Sequence, residues 1–244
     1  RARERRGGRL VYDRVGHGSH RPARRMSDLT VLFDLDGTLT DSRAGITASI
    51  RHALAQLGRE CPGDDELAAY IGPPLRGTFV TLLGTADAAL IETALAHYRT
   101  RYDDVGLFEN AVYDGVPEML ERTARLASTM LVATAKPRHA ATRIVTHFDL
   151  MRHFHGVYGA EPGGRFDHKV DLLRHLVESG VIRAETSVMV GDRALDIAAA
   201  RAHRIRSVGA LWGFGDRREL TEAGADLLCE SPRDLAACLT RAER

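Results

Sequence analysis

Short runs of apolar residues recur along the chain, most of them in its second half, and each is followed by a stretch with helical spacing. Continuous apolar runs are typical of strands that are buried on both faces of a parallel sheet, and their alternation with helices is typical of βαβ units. The pattern therefore predicts an α/β fold built around a parallel sheet. The predicted strands are Leu29–Phe33, Met130–Ala133, Val157–Ala160, Val188–Val190 and Ser207–Leu211.

The long segment between the first two predicted strands has helical patterns and no comparable strand. One pattern, over residues 46–57, stops at Gly58, and a second, over residues 90–102, stops near Gly106. We therefore predict that a helical unit is inserted into the sheet domain. The predicted units are a disordered basic extension over residues 1–26, an α/β core over 27–41 and 113–244, and a helical insert over 42–112.

The composition is that of a globular protein, with 44% hydrophobic and 27% charged residues, and it excludes a disordered or fibrous chain. No stretch approaches the roughly 18 consecutive apolar residues that a membrane helix needs. The Arg-rich start also lacks the apolar segment of a secretory signal. We expect a soluble, cytoplasmic protein without a membrane partner. The three cysteines are widely spaced, so the sequence indicates neither a disulfide framework nor a zinc site.

The near-neutral total charge hides a segregation along the chain. Residues 1–26 contain nine Arg and two acidic residues, whereas the remainder contains 25 basic and 31 acidic residues. The first methionine is Met26, directly before the first apolar run. We interpret residues 1–25 as an extension outside the folded part. A nucleic-acid-binding arm is the alternative, but Tyr12 is the single Phe, Tyr or Trp among these arginines, and we expect no nucleic-acid partner.

Lysine is almost absent from the sequence. Of the 34 basic residues 32 are Arg, and Lys136 and Lys169 are the only lysines. A compact ammonium and a planar guanidinium are not equivalent in a tight site, so these two lysines are candidates for positions where Arg cannot work. The alternative is that both are ordinary solvated surface residues.

Polar side chains follow several of the predicted strands. The first strand leads into Asp34 and Asp36, the second ends at Thr134, and the fourth leads into Asp192, with Asp196 four residues further on. The carboxyl ends of neighbouring parallel strands share one edge of a sheet, and ligands bind there where the strand order reverses. We therefore expect these side chains to converge. Asp34 and Asp36 alone could equally cap a helix or bind a structural ion.

Four carboxylates at one edge repel one another unless cations compensate them. Both lysines belong to this edge, because Lys136 follows Thr134 by two residues and Lys169 opens a predicted helix. One divalent cation would cancel the remaining charge, and oxygen ligands without His or Cys favour Mg²⁺ over zinc. Such a pocket suits a phosphoryl group. One carboxylate can attack phosphorus, while a second protonates the leaving alcohol and then deprotonates water.

Four motifs carry a family resemblance in their order and spacing. The stretches "DLDGTLTDS", "VATAKP" and "VMVGDRALD", together with Lys169, resemble the four motifs of the haloacid dehalogenase (HAD) superfamily. The stretches "IGPPL" and "GLFENAVYDGVPE" are similar to the branch that contains phosphoglycolate phosphatases and related 5′-nucleotidases. The resemblance implies a Rossmann-like core with a helical cap inserted after the first motif.

The resemblance also implies roles for individual residues. Asp34 resembles the nucleophile and a Mg²⁺ ligand, and Asp36 resembles the general acid/base, whose backbone carbonyl binds the metal. Asp192 resembles the remaining metal carboxylate. The phosphate-binding pair is implied to be Thr134 and Lys169, and Asp196 is implied to orient Lys169 or a metal-bound water.

Several positions depart from the family pattern or leave a choice open. Ala135 stands where relatives often carry Ser or Asn, so only its backbone N–H is expected to contact phosphate. Lys136 competes with Lys169 for the phosphate-binding role. Arg76, in the first turn of a helix predicted to begin near Leu75, is a candidate for a substrate carboxylate or second phosphate, and otherwise a solvated surface residue. Trp212 is expected to pack locally.

The resulting hypothesis is a Mg²⁺-dependent phosphatase that acts on a small phosphorylated metabolite through an aspartyl-phosphate, with 2-phosphoglycolate as the leading substrate. A nucleoside 5′-monophosphate is the closest alternative, and a phosphosugar mutase would use the same core. A non-catalytic binding module of the same fold is an alternative from a different class. All expected core residues are present, which argues against that last alternative.

Overall fold

The computed structural model describes residues 28–242, so the basic extension predicted over residues 1–26 lies outside the described residues. The strands are β1 (Thr30–Phe33), β2 (Thr40–Asp41), β3 (Ala111–Val112), β4 (Thr129–Pro137), β5 (Gly156–Ala160), β6 (Ser187–Gly191), β7 (Arg206–Ala210) and β8 (Leu227–Cys229). The helices are α1 (Arg43–Gln56), α2 (Asp64–Ala68), α3 (Leu75–Leu83), α4 (Ala88–Arg101), α5 (Val116–Thr123), α6 (Arg138–His147), α7 (Lys169–Glu178), α8 (Ala194–Ala202), α9 (Arg217–Glu222) and α10 (Leu235–Ala242).

Six strands form one parallel sheet in the order β5-β4-β1-β6-β7-β8. The chain starts at the centre with β1, continues outward on one side through β4 and β5, and then crosses to β6 on the other side. The strand order therefore reverses around β1. The predicted α/β fold with a Rossmann-like sheet is confirmed, and each of the five predicted strands overlaps an observed strand. The short edge strand β8 was not predicted, because three residues are too few to give a periodic signal.

Both faces of the sheet are covered by helices, which explains the continuous apolar runs. Along β1, Val31 and Phe33 belong to the apolar cluster on one face, whereas Leu32 belongs to the cluster on the other. Leu32 shares its cluster with Leu173 of α7 and Ala200 of α8. Successive side chains of a strand point to opposite faces, so a strand between two helical layers needs apolar residues at every position.

Helices α1 to α4 lie between β2 and β3. These two strands pair in antiparallel register, with Thr40 opposite Val112, so the chain enters and leaves the helical segment at one place. Helix α4 continues into a π-helical turn over Tyr102–Gly106, and Gly106 packs against Gly45 of α1 so closely that a Cβ on Gly45 would lie 1.9 Å from the Gly106 carbonyl oxygen. The assignment of residues 42–112 as a separate cap unit stays a prediction.

The described residues include no single helix that is both long and apolar enough to cross a membrane. Only the bent pair Leu75–Leu83 and Ala88–Gly106 combines the required length and composition.

Candidate active site

Three neighbouring strands bring the predicted site residues to one edge of the sheet. Asp34 directly follows β1, Thr134 lies near the end of β4, and Asp192 directly follows β6. The sheet ladder extends one step beyond β1, since the N–H of Asp34 donates to the carbonyl of Val190 at 2.9 Å. Asp34, Thr134 and Asp192 are all buried. The structure therefore brings these side chains together where the strand order reverses.

Three carboxylates form a compact buried group. One oxygen from each of Asp34, Asp192 and Asp196 lies within 4.8 Å of the others. Asp192 is held by the Thr38 hydroxyl, which donates to its Oδ1 at 2.9 Å, and by the Phe214 N–H, which donates to its Oδ2 at 2.9 Å. The carboxylate group is thus fixed by hydrogen bonds from two separate loops.

Gly37 makes the close approach of Asp192 possible. Its φ is +87°, and a Cβ at this position would lie 2.1 Å from Asp192 Oδ2. A side chain would both strain the backbone and displace the carboxylate. The glycine that directly follows Asp36 is therefore required by the geometry of the site.

Lys169 is the cation within the carboxylate group. It is the first residue of α7, and its ammonium lies 2.8 Å from Asp34 Oδ1 and also contacts Asp196 Oδ1. Burial by itself lowers the pKa of Lys169, but the charges of Asp196 and Asp34 outweigh burial and raise the pKa above its usual value. The amine therefore stays charged between these two acids.

One lysine does not balance three buried carboxylates. Burial, followed by the charges of Asp196 and Asp34, raises the pKa of Asp192 well above its usual value. Burial also raises the pKa of Asp196 to about 6, although Lys169 opposes the rise. Crowded carboxylate oxygens whose pKa values are raised are a favourable donor set for a hard divalent cation. The Asp34, Asp192 and Asp196 carboxylates can hold such a cation.

Asp36 points to a different partner from the other three acids. Its Oδ2 lies 2.9 Å from Nζ of Lys136, while its buried Oδ1 makes no hydrogen bond with any described residue. Lys136 also donates to the hydroxyl of Tyr102, and its Nζ lies 4.6 Å from the centre of that ring. Burial lowers the pKa of Lys136, but Asp36 and Tyr102 outweigh burial and raise it. The four acids thus divide into a group of three and one separate ion pair.

Thr134 and Ala135, which directly precede Lys136 in β4, contribute to the site in different ways. The hydroxyl of Thr134 accepts a hydrogen bond from the N–H of Lys136 at 3.2 Å, so the end of β4 is locally ordered by its own side chain. Ala135 lines the cavity beside Asp34 with a methyl group. Its side chain offers no hydrogen bond, and the contact of its backbone N–H with phosphate stays a prediction.

Two adjoining cavities open onto Asp34. The first, of about 190 Å³, lies between the sheet edge and the helical segment and is lined by Asp34, Asp36, Lys136 and Tyr102 among others. The second, of about 290 Å³, is lined by Asp34, Lys169 and Asp196 on the core side. Asp34 therefore lines both cavities, and each cavity also contains a lysine and the residues Gly72 and Pro74 from the loop before α3.

Arg76 lies on the wall of the first cavity, and it does not contact the carboxylates. It is half-exposed and forms an ion pair with Glu92 of α4. Arg99 lines the same cavity, and among residues 28–242 its side chain has no hydrogen bond or ion pair. Sequence reasoning singled out Arg76 and missed Arg99.

Arg193 connects the loop after β6 to the helical segment. Its Nε donates to Glu219 Oε1 at 2.9 Å, and its Nη1 donates to the carbonyl of Ile71 in the loop between α2 and α3. Glu219 also accepts from the N–H of Ala194 at 2.7 Å. The residue next to Asp192 in the chain is therefore a bridge across the cavity.

Other contacts of the site were not predicted from the sequence. The local packing predicted for Trp212 is incomplete, because its indole N–H donates to the carbonyl of Thr38 at 2.9 Å. That bond supports the loop after β1, in which the Thr38 hydroxyl donates to Asp192. Thr38 lies within the first motif and Tyr102 lies outside all four, and their contacts could not be predicted from a motif because each joins distant segments.

The family follows from comparison with known proteins. Residues 31–210 match the family model for haloacid dehalogenase-like hydrolases, and the chain belongs to this family. It is an enzyme, a phosphatase of that family. The crystal structure of a predicted phosphatase from Clostridium acetobutylicum superimposes with a TM-score of 0.83 at 34% identity, over 87% of this chain and 98% of that one.

Three curated relatives differ in their named activities. A 5′-nucleotidase from Pseudomonas aeruginosa is 45% identical, over 78% of this chain and 86% of the relative. A phosphoglycolate phosphatase from Xanthomonas campestris pv. campestris is 32% identical, over 84% of this chain and 93% of the relative. The tyrosine-protein kinase PtkA of Mycobacterium tuberculosis is 39% identical, over 76% of this chain but only 62% of PtkA.

Proposed function

We propose that this protein hydrolyses phosphate monoesters through an aspartyl-phosphate formed on Asp34. The observation that carries the proposal is the position of the Asp34 carboxylate, which lies 2.8 Å from the Lys169 amine and opens onto both cavities. A carboxylate beside a buried ammonium can meet a phosphoryl group whose charged oxygens the ammonium stabilises.

In the first step, an oxygen of Asp34 forms a bond to phosphorus and the bond from phosphorus to the ester oxygen breaks. Asp36 takes part in this step in its protonated form and gives its proton to the departing oxygen, so the product leaves as an alcohol and Asp36 becomes a carboxylate. In the second step, water attacks the phosphorus of the aspartyl-phosphate and Asp36 takes a proton from that water. The bond between phosphorus and Asp34 breaks, which releases phosphate and restores the Asp34 carboxylate and the protonated carboxyl of Asp36.

Lys169 is the phosphate-binding lysine in this proposal, because it contacts the nucleophile. Lys136 is engaged by Asp36 and Tyr102 instead. Thr134 contributes its hydroxyl and Ala135 its backbone N–H to the phosphate oxygens, and Asp196 keeps Lys169 in place. The aligned donors cost little reorganisation when the phosphoryl group transfers.

Mg²⁺ is the cation proposed for this edge of the sheet, with carboxylates of Asp34 and Asp192 and the backbone carbonyl of Asp36 as ligands. Asp196 is close enough to bind, but Lys169 engages its carboxylate. The raised pKa values of Asp192 and Asp196 support a cation at this position. When bound, Mg²⁺ would neutralise charge on the phosphoryl oxygens.

The substrate class proposed first is a nucleoside 5′-monophosphate. Beside Asp34 and Asp36 the first cavity offers apolar and aromatic surface that suits a planar base. That surface includes Tyr70, Pro73, Pro74, Leu75 and Leu95. The similarity to a relative named 5′-nucleotidase supports the same choice.

Phosphoglycolate is the second candidate, and one feature of the cavity favours it. The guanidinium of Arg99 has no acidic partner in the described part of the chain and could bind the carboxylate of a small acidic leaving group. Arg76 is less available for this task because Glu92 engages it. A cytoplasmic location and the absence of a nucleic-acid partner stay predictions.

The test is a panel of phosphate esters assayed for free phosphate with Mg²⁺ and with EDTA. The panel contains AMP, UMP, 2-phosphoglycolate and a hexose phosphate, and ATP with a tyrosine peptide tests transfer to protein. We expect Mg²⁺-dependent release that is fastest from a nucleotide and absent in Asp34→Asn. Release from no ester, or equal release by the variant, would contradict the proposal. Isomerisation of a hexose phosphate without phosphate release would indicate a mutase.

A further inference from the structure

One contact joins the helical segment to the ion pair of Asp36. Tyr102 begins the π-helical turn that ends α4, and its hydroxyl accepts a hydrogen bond from Lys136 of the core. The π-helix is rare, and it occurs mostly as single-turn bulges of α-helices that are frequently found at functional sites. The π-turn of this chain starts at the residue that reaches the core lysine.

The Lys136 ammonium is held from several directions. Its side chain is 6% exposed, and it contacts Asp36 Oδ2 at 2.9 Å, the Tyr102 hydroxyl and, at 4.6 Å from its centre, the Tyr102 ring. An ammonium has three N–H donors and rotates freely about its stem, so each partner removes part of that freedom. Tyr102 is itself only 5% exposed and is stacked on Tyr98 with ring centres 5.2 Å apart.

We propose that Tyr102 is a positioning residue that fixes Lys136, and through it the carboxyl of Asp36, in the orientation needed to protonate the leaving group. The inference rests on the function proposed above. Because Tyr102 comes from the helical segment and Lys136 from the sheet, the proton donor is aligned only while the helical segment is seated on the core. Cap seating and proton transfer are thereby linked by one hydroxyl group.

A space-filling role and a substrate-binding role for Tyr102 would each give a different kinetic result. If Tyr102 only fills space, then removing its hydroxyl while keeping its ring has no specific effect. If Tyr102 only binds the substrate, then its loss raises KM and leaves kcat unchanged. A positioning role instead lowers kcat, and it does so according to how much the leaving group needs a proton.

The experiment compares two classes of ester with wild type and Tyr102→Phe. An alkyl phosphate, such as AMP or glycerol phosphate, leaves as a basic alkoxide that needs protonation. The 4-nitrophenyl ester leaves as a stabilised phenolate that does not. We expect Tyr102→Phe to lower both kcat and kcat/KM on the alkyl ester by roughly 10-fold, a part of the 10²–10⁴-fold that a general acid contributes. On the aryl ester kcat/KM, which reports only the steps through formation of the aspartyl-phosphate, should stay within about twofold.

Tyr98→Phe is the matched control. Tyr98 lies in α4, one turn before Tyr102, and its ring stacks on the Tyr102 ring. Its hydroxyl makes no hydrogen bond with any residue in the described range. The ratio of kcat/KM on the alkyl ester to kcat/KM on the aryl ester should be unchanged in this variant. A double-mutant cycle with Lys136→Met tests the route: once Lys136 is gone, Tyr102→Phe should not change the ratio further. The melting temperature of each variant shows that it is folded.

The possible outcomes distinguish failure of the proposed hydrolase function from failure of the positioning role of Tyr102. Failure of wild type to hydrolyse either ester would overturn the proposed function. An active wild type whose Tyr102→Phe variant lowers kcat/KM equally for both esters would overturn the positioning role only. The same conclusion would follow if Tyr98→Phe changed the ratio as much, or if the Tyr102 and Lys136 effects were additive.

Discussion

The ammonium of Lys169 lies 2.8 Å from the Asp34 carboxylate, so the proposed nucleophile carries its own cation before any substrate arrives. In Asp34→Asn, the amide keeps the shape but cannot form the acyl phosphate. We expect kcat to fall by at least about 10³-fold, as for the loss of other nucleophiles. Steady-state phosphate release with the preferred ester measures the loss.

The same variant should remain folded. Lys169 keeps its contact with Asp196, and one of three crowded carboxylates becomes neutral. Its melting temperature should therefore equal or exceed that of wild type in EDTA. Residual turnover near the wild-type rate would mean that Asp34 is not the nucleophile.

Replacing Lys169 with an uncharged residue should instead lower the free energy of unfolding. Lys169→Gln leaves Asp34, Asp192 and Asp196 without a positive partner, and breaking a buried ion pair in this way costs about 3–5 kcal/mol. Urea unfolding in EDTA measures the change. Arg174→Gln on the same helix removes an exposed pair with Asp171 and should cost less than about 1 kcal/mol. Similar losses in both variants would contradict a role for Lys169 in balancing the three buried carboxylates.

A divalent cation should stabilise the folded protein. Binding to the folded state alone raises stability by mass action, so the melting temperature should rise with Mg²⁺ concentration. Asp192→Asn should reduce this rise strongly. Asp226→Asn is the control, since Asp226 is hydrogen-bonded to Ser207 near the start of β7, at the opposite end of the sheet. An equal rise in wild type and Asp192→Asn would exclude Asp192 as a ligand.

The bridge from Arg193 to Ile71 should protect the loop before α3. In Arg193→Ala this bridge is lost, and local opening of the loop becomes easier. We expect chymotrypsin to cut after Tyr70 about 5- to 30-fold faster, the factor that corresponds to 1–2 kcal/mol. Arg218→Ala, which removes an exposed pair with Glu222, should leave the cleavage rate unchanged. Equal protection in both variants would show that the bridge does not hold the loop.

The sequence was sufficient to predict the sheet and the convergence of its polar residues. Asp34, Thr134 and Asp192 each follow or end a strand, and parallel strands bring such positions to one edge irrespective of their distance along the chain. The scarcity of lysine added independent information, because both lysines proved to be buried partners of the acids. These features depend on local pattern and topology, which a sequence contains.

The pairing of the side chains could not be predicted in the same way. All four acids were expected to form one group, yet Lys136 holds Asp36 apart from the other three. The contacts of Tyr102 and Trp212 with the core likewise join segments that share no periodic signal. Such contacts depend on how two separately formed units meet, and hydrophobic spacing within either unit does not encode them.

Both lysine side chains of the chain are engaged at the site, with exposures of 6% and 5%. Reagents that couple to the ε-amines of lysine therefore find none on the outer surface of the described protein. Amine-reactive dyes and resins should leave the lysines of the folded enzyme unmodified. Modification of a lysine would instead report that the helical segment had lifted away from the sheet.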